Sequence, residues 1–145
     1  MKFLIINGPN LNLLGMREPD IYGRETYRDL ENLVRETARQ ENLQITLFQS
    51  NHEGAIVDKI QGAMEEYDGI VINPAAYTHT SIAILDALYA VNLPAVEVHI
   101  SDLNSREAFR QISYPAQACI NTFMGQGLEG YRQAILCLKA HIEAK

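Results

Sequence analysis

Tyr22 and Arg17 lie within a stretch, Gly8 to Glu25, that shows neither a helical nor a strand period. A free tyrosine ionises near pH ~10, so its phenolate is scarce at neutral pH. A guanidinium beside it stabilises the phenolate, each tenfold gain in the ionised form requiring about 1.4 kcal/mol of differential interaction. The pair is therefore a candidate base with its stabiliser. The competing reading is that Tyr22, one of seven tyrosines, simply packs. A second pair is Glu97 and His99, two apart in an apolar run. On a strand their side chains share a face, and a carboxylate beside an imidazole sets its tautomer and favours the protonated form. That combination suits a general acid. Ile100 and Ser101 follow directly, where backbone N–H groups and a hydroxyl can bind a carboxylate. Arg110 adds a forked donor. Removing a proton next to a ketone builds charge on oxygen, so a donor such as Asn10, or a water held there, would help.

Other chemistries find less support. The only lysines are Lys2, Lys59, Lys139 and Lys145, and none follows the end of an expected strand, which disfavours imine chemistry. Spacings such as His-Glu-x-x-His do not occur, so no metal and no cofactor is expected. His52 is expected to help start a helix, and His141 to be an exposed residue of the last helix.

These residues need a scaffold. Five apolar runs, Phe3–Asn7, Leu43–Gln49, Gly69–Asn73, Ala95–His99 and Ala118–Phe123, read as strands, and several are nearly continuous in Ile, Leu and Val, as strands buried on both faces should be. Helical patterns fill the gaps. Tyr27–Gln40 carries Leu30, Leu33, Val34 and Ala38 on one face with Thr26 as cap. Gly54–Glu66 carries Ile56, Val57, Ile60 and Met64. Ser81–Val91 carries Ile82, Ile84, Leu85 and Leu88, capped by Thr80 or Ser81. A shorter helix is expected over Ser105–Gln111, and a last one from about Leu128 to Ala144. The order βαβαβαβαβα predicts an α/β fold: a flavodoxin-like three-layer sandwich with a five-stranded parallel sheet. Ligands of such sheets sit beyond the carboxyl ends of the strands. There the sequence places Asn7-Gly8-Pro9-Asn10, Asn73-Pro74 and Glu97-Val98-His99.

The Gly8–Glu25 connection is too long for an ordinary βα turn, and such loops are usually functional or disordered. Its leucines argue against disorder. Leu11, Leu13 and Leu14 would anchor one part, Gly15 and Gly23 would serve as hinges, and residues 18–25 would form an active-site lid. A chain of 145 residues with 47% hydrophobic content favours one domain over its whole length. The formal charge of −6 argues against a nucleic-acid surface, although local arginines can still hold a small anion. The run after Met1-Lys2 is too short for a signal peptide or a membrane span. Cys119 and Cys137 read as buried, reduced thiols. A cytoplasmic protein is expected.

The motifs Asn7-Gly8-Pro9-Asn10-Leu11-Asn12-Leu13-Leu14-Gly15, Arg17-Glu18-Pro19, Tyr22-Gly23, Gln49-Ser50-Asn51-His52-Glu53-Gly54, Asn73 through Ser81, and Val96 through Ser101 resemble those of type II 3-dehydroquinate dehydratases. Arg106 and Phe109-Arg110 follow at that family's spacing. The resemblance implies loss of water from 3-dehydroquinate to give 3-dehydroshikimate in the shikimate pathway of aromatic amino acid biosynthesis. It implies anti elimination through an enolate, without a Schiff base. It implies Tyr22 as proton acceptor, Arg17 as support for the phenolate, His99 as proton donor, Glu97 as its orienting partner and Asn10 near the enolate through a water. Asn73, His79, Ile100, Ser101 and Arg110 match substrate-binding positions. Asp86 matches a residue that reaches the site from a neighbouring subunit, within a dodecamer built from trimers.

Four positions depart from the family's pattern: Met16, Ala75 for a usual glycine, Asp102 for a usual asparagine, and Gln111. Ala75 suggests a slightly different backbone before His79, and Asp102 would weaken binding of a carboxylate if it faced inward. The alternatives are a flavodoxin-like binding or signalling module and an inactive structural relative. Gly8-Pro9-Asn10-Leu11 is poor in donors for a phosphate loop, and Asn7 stands where a phosphoacceptor site would place an acid.

Overall fold

The structure, a computed structural model, describes residues 1–16, 20 and 23–145. Arg17 and Tyr22, and with them half of the expected lid, lie outside the described residues.

Five parallel strands form one sheet: β1 (Lys2–Asn7), β2 (Gln44–Gln49), β3 (Gly69–Asn73), β4 (Ala95–His99) and β5 (Asn121–Met124). Their spatial order is β2-β1-β3-β4-β5, the flavodoxin-like order, with its switch point between β1 and β3. The register sets Asn7 beside Asn73 and Ile72 beside Glu97, so the strand-end polar residues stand in a row.

Alternation along β1 explains the layers. Phe3 and Ile5 join Val71, Val96 and Val98 on one face, covered by α1 (Tyr27–Glu41) and α4 (Glu129–Glu143) through Leu30, Val34, Tyr131, Ile135 and Leu138. Leu4 and Ile6 join Ile70 and Ile72 on the other, covered by α2 (Glu53–Gly62) and α3 (Ile82–Val91) through Ile56, Ile60, Ile84 and Leu88. The central strands β3 and β4 are buried along their full length, as parallel strands covered on both sides must be.

Thr26 caps α1 in a capping box, its hydroxyl accepting from the Asp29 N–H while the Asp29 carboxylate accepts from the Thr26 N–H. Ser81, rather than Thr80, caps α3. Both helices end at an asparagine in the left-handed conformation, Asn42 and Asn92. His52 occupies the cap position of α2, but its side chain makes no capping bond. His141 is half-buried rather than exposed.

Three elements differ from expectation. Instead of one helix over Ser105–Gln111 there are two short 3-10 turns, Leu103–Ser105 and Ala108–Arg110. Arg106 and Glu107 are extended between them (ψ 178 and 151). Phe109 and Ile112 are exposed, so the segment has no apolar face to dock on a sheet. β5 begins at Asn121 rather than Ala118, because Pro115 opens a 3-10 turn that runs to Ala118. α2 stops at Gly62, where the Ala63 N–H turns to the Ile60 carbonyl.

Within the long first connection, Leu11–Leu13 form a 3-10 turn, with Leu11 and Leu14 buried and Leu13 exposed. Gly15 has φ 84, and a Cβ there would stand 3.0 Å from the Arg24 carbonyl oxygen. The middle of the connection therefore meets its far end at a position where only glycine fits without strain.

Candidate active site

A cavity of about 200 Å³ opens at the carboxyl ends of β1, β3 and β4. The β1 connection contributes Pro9, Asn10, Leu11 and Leu14. β3 and its 3-10 turn contribute Asn73, Ala75, Ala76 and His79. β4 and the following segment contribute His99, Ile100, Ser101, Leu103, Arg106 and Arg110. Of the residues singled out in the sequence, the structure thus brings together Asn10, Asn73, His79, His99, Ile100, Ser101 and Arg110. Asp86 is not among the lining residues; it is exposed on α3.

Glu97 and His99 form the core of the site. Glu97 is fully buried, and its Oε1 accepts from His99 Nε2 at 2.5 Å. Oε1 also accepts from the Ser113 hydroxyl at 2.7 Å, and Oε2 from the Thr122 hydroxyl at 3.3 Å. Buried carboxylates require such donors, because an unpaired charge in a low-dielectric interior is costly. With Nε2 committed to Glu97, His99 has Nδ1 as its remaining ring nitrogen. His79 is arranged the other way round: Nδ1 bonds the Ile112 carbonyl at 2.8 Å, so in the neutral ring Nδ1 carries the proton and Nε2 is an acceptor.

Asn73 is fixed from below. Its Nδ2 donates to the Tyr131 hydroxyl at 3.0 Å, and its Oδ1 accepts from the Ala75 N–H at 3.1 Å. The Tyr131 hydroxyl in turn donates to Asn7 Oδ1 at 2.5 Å, and Asn7 Nδ2 donates to the Tyr27 hydroxyl at 3.3 Å. Burial pushes both phenols above the ordinary tyrosine range, so they act here as neutral hydroxyls.

Asn10 adopts a left-handed backbone (φ 70), and its N–H is held by Asn51 Oδ1 at 3.0 Å. Gln49 joins that network by donating to the Gly8 carbonyl and to Asn12 and Asn51. The Gln49–Gly54 motif thus braces the β1 connection.

Two arginines give the cavity positive charge. Arg106 donates to the Ser101 hydroxyl at 3.2 Å. Arg110 pairs with Glu107 at 2.8 Å, and that hydrogen bond holds the exposed Glu107 carboxyl below its usual range. Asp102 does not line the cavity: it is exposed, and its carboxylate accepts from the Asn104 N–H. Ala75 itself takes the left-handed conformation (φ 53) that a glycine would accept without strain. A Cβ on Gly8 would lie 2.4 Å from the Pro74 carbonyl oxygen, so the first and third strand ends touch through bare backbone.

Sequence reasoning missed Ser113, Thr122 and Tyr131 as supports of the site. It placed Arg106 in a motif without giving it a role. Arg106 could have been found as a second cation close to Arg110, but nothing in the spacing links Ser113, Thr122 or Tyr131 to their partners.

The profile of the family described as Dehydroquinase class II matches residues 1–139. A 3-dehydroquinate dehydratase of Caldicellulosiruptor saccharolyticus is 52% identical over 139 residues, 95% of this chain and 96% of that one. A catabolic 3-dehydroquinase of Talaromyces marneffei is 53% identical over 132 residues, 91% of this chain and 75% of that one. The crystal structure of a type II dehydroquinase from Butyrivibrio crossotus is similar with a TM-score of 0.94 at 54% identity, covering 96% of this chain and 97% of that chain. A single profile that follows the chain from β1 into α4, and a whole-chain match in structure, leave one assignment: this chain belongs to the class II dehydroquinase family.

Proposed function

We propose that this chain dehydrates 3-dehydroquinate to 3-dehydroshikimate by anti elimination through an enolate. The observation that carries the reading is the buried Glu97–His99 pair, at the floor of a cavity that also holds Arg106 and Arg110 and, among its described lining residues, no lysine. An imine route needs a lysine amine at the ketone; an enolate route needs a base, an acid and donors for the developing oxyanion.

In this scheme the Tyr22 phenolate, supported by Arg17, takes the proton next to the ketone. The C–H electron pair moves onto the carbonyl oxygen as an enolate, which Asn10 stabilises through a water. The enolate then collapses, a carbon–carbon double bond forms, and the hydroxyl leaves as water with a proton from His99 Nδ1. Glu97 holds the other ring nitrogen and balances the imidazolium. Asn73, His79, Ile100, Ser101 and Arg110 bind the carboxylate and ring hydroxyls; the neutral His79 tautomer accepts from a hydroxyl. Residues 18–25 act as the lid, and the whole chain acts as one domain.

Asp86 acts from a neighbouring subunit. It lies on an exposed face of α3 with Ile82 and Tyr89, both 54% exposed, a spacing that makes one apolar stripe around an acid. Such a stripe suits a subunit contact, and we propose trimers assembled into a dodecamer, working in the cytoplasm without a cofactor.

The test is direct. The protein is incubated with 3-dehydroquinate, and the ultraviolet absorbance of the conjugated product is followed. Tyr22→Phe should fold, assemble and bind substrate but lose nearly all turnover; a variant that keeps most of its activity places the base elsewhere. Light scattering that found a fully active monomer would remove the role given to Asp86.

A further inference from the structure

We infer that the tripeptide Ile112-Ser113-Tyr114 is a positioning clamp for both histidines of the site, with Ser113 acting on His99 through Glu97. The inference rests on the proposed role of His99 as proton donor. Three consecutive residues reach two different elements of the site. The Ile112 carbonyl accepts from His79 Nδ1 at 2.8 Å, and the Tyr114 N–H donates to the Thr78 carbonyl at 3.0 Å. Between them, the Ser113 hydroxyl donates to Glu97 Oε1 at 2.7 Å, the same oxygen that receives His99 Nε2. One short segment therefore sets the tautomer of His79 and the partner of His99.

The Ser113 hydroxyl has a single proton, and it is donated in the hydrogen bond to Glu97. Its oxygen still accepts from the Ala116 N–H at 3.2 Å, which opens the Pro115–Ala118 turn. The hydroxyl is thus oriented by the turn and cannot swing away from Glu97. Thr122 on β5 supplies the second donor, to Oε2, so the carboxylate is gripped at both oxygens. Without Ser113, Oε1 has His99 as its one remaining partner among these bonds. The carboxylate can then rotate, and the imidazole loses the fixed direction in which Nδ1 must deliver a proton. Other groups near this pair are Cys119, whose thiol feels the Glu97 charge, and the cavity residues His79, Arg106 and Arg110.

The experiment compares Ser113→Ala with Ser113→Thr, which keeps the hydroxyl. Ser113→Ala should lower kcat by about ten- to hundredfold, the scale expected for losing a hydrogen bond to a charged partner. KM should stay within about twofold, and Ser113→Thr should recover most of the loss. In the same samples, without substrate, nitrogen-15 and proton NMR of His99 should show a proton fixed on Nε2 and shifted downfield in the parent. In Ser113→Ala that signal should move or broaden. If kcat falls while the His99 signal is unchanged, Ser113 merely supports the Pro115 turn and the inference is wrong. Parent-like kcat in folded Ser113→Ala refutes it too. Should the alanine variant not fold, Ser113→Cys, which has the same branching but a larger atom and is a poor donor, carries the same comparison. A parent enzyme that leaves 3-dehydroquinate untouched would overturn the proposed reaction, whereas the NMR comparison would still decide whether Ser113 holds the Glu97–His99 pair.

Discussion

Replacing Tyr131 by phenylalanine removes one oxygen and leaves the ring in place, so no cavity forms and the apolar packing of α4 is kept. Two groups lose a partner: Asn7 Oδ1, whose donor stood at 2.5 Å, and Asn73 Nδ2, whose acceptor stood at 3.0 Å. A buried polar group left unsatisfied costs about 1–3 kcal/mol. Asn7 is fully buried and should incur that cost in full. Asn73 faces the cavity and can recover part of its cost from solvent. The expected destabilisation is therefore about 2–4 kcal/mol, a large share of the roughly 5–15 kcal/mol typical of a domain. The variant should still fold at 25 °C. Urea unfolding of parent and variant, with equal slopes, measures the loss. The same change frees the Asn73 amide to rotate, so KM for 3-dehydroquinate should rise by about tenfold with kcat less affected. A loss below about 0.5 kcal/mol, or an unchanged KM, would refute the view that Tyr131 holds Asn73 in its binding orientation.

Three other outcomes follow from the backbone contacts and from Cys119. Gly8→Ala should be destabilised by about 2–3 kcal/mol and bind substrate more weakly, because its Cβ meets the Pro74 carbonyl at 2.4 Å and must displace the turn that carries His79; a parent-like midpoint and KM would contradict this. Ala75→Gly removes a left-handed alanine, a relief of about 1–2 kcal/mol, against an unfolded-state entropy cost of about 0.4–1 kcal/mol. A gain of up to about 1.6 kcal/mol in thermal or urea unfolding is expected, and a clear loss would show that the methyl group packs favourably. Burial, aided by the Glu97 charge, pushes the Cys119 thiol from 9.0 up to about 12. The unfolded chain then gives up this proton first, so this thiol's contribution to stability is complete below about pH 9 and falls away as pH rises toward 12. Iodoacetamide at about pH 9, where the unfolded thiol is half ionised, should label Cys119 far more slowly in the native protein than in urea, as read by mass mapping; similar rates would contradict the assignment.

The middle of the sheet was legible because β1 and β3 are runs of Ile, Leu and Val that end in polar residues. Gly69–Asn73 and Ala95–His99 match residue for residue. The pair Glu97–His99 was legible for the same reason, since two-residue spacing on a strand is a geometric statement. Ser113 and Thr122 were not, because a donor 16 or 25 residues from Glu97 is brought to it only by the way the last turns pack. Tyr131 was hidden differently: a tyrosine on the inner face of a helix looks like any core residue until its hydroxyl finds Asn7 and Asn73. No helix forms over Ser105–Gln111 because the segment has no apolar face to dock, Phe109 and the following Ile112 being exposed. Asp86 lies on an exposed face of α3 and does not line the cavity, so nothing in its own position or spacing ties it to the site.

The register that sets Asn7 beside Asn73 bears on how the protein moves. The Gly8 N–H donates to the Asn73 carbonyl at 2.8 Å, extending the β1–β3 ladder one step beyond the strands. These are central strands, so opening that bond means opening the sheet, and its amide should exchange with solvent at the pace of global unfolding. The floor of the cavity then has no low-energy partially open form of its own. Heating should then disrupt this part of the cavity only together with the sheet.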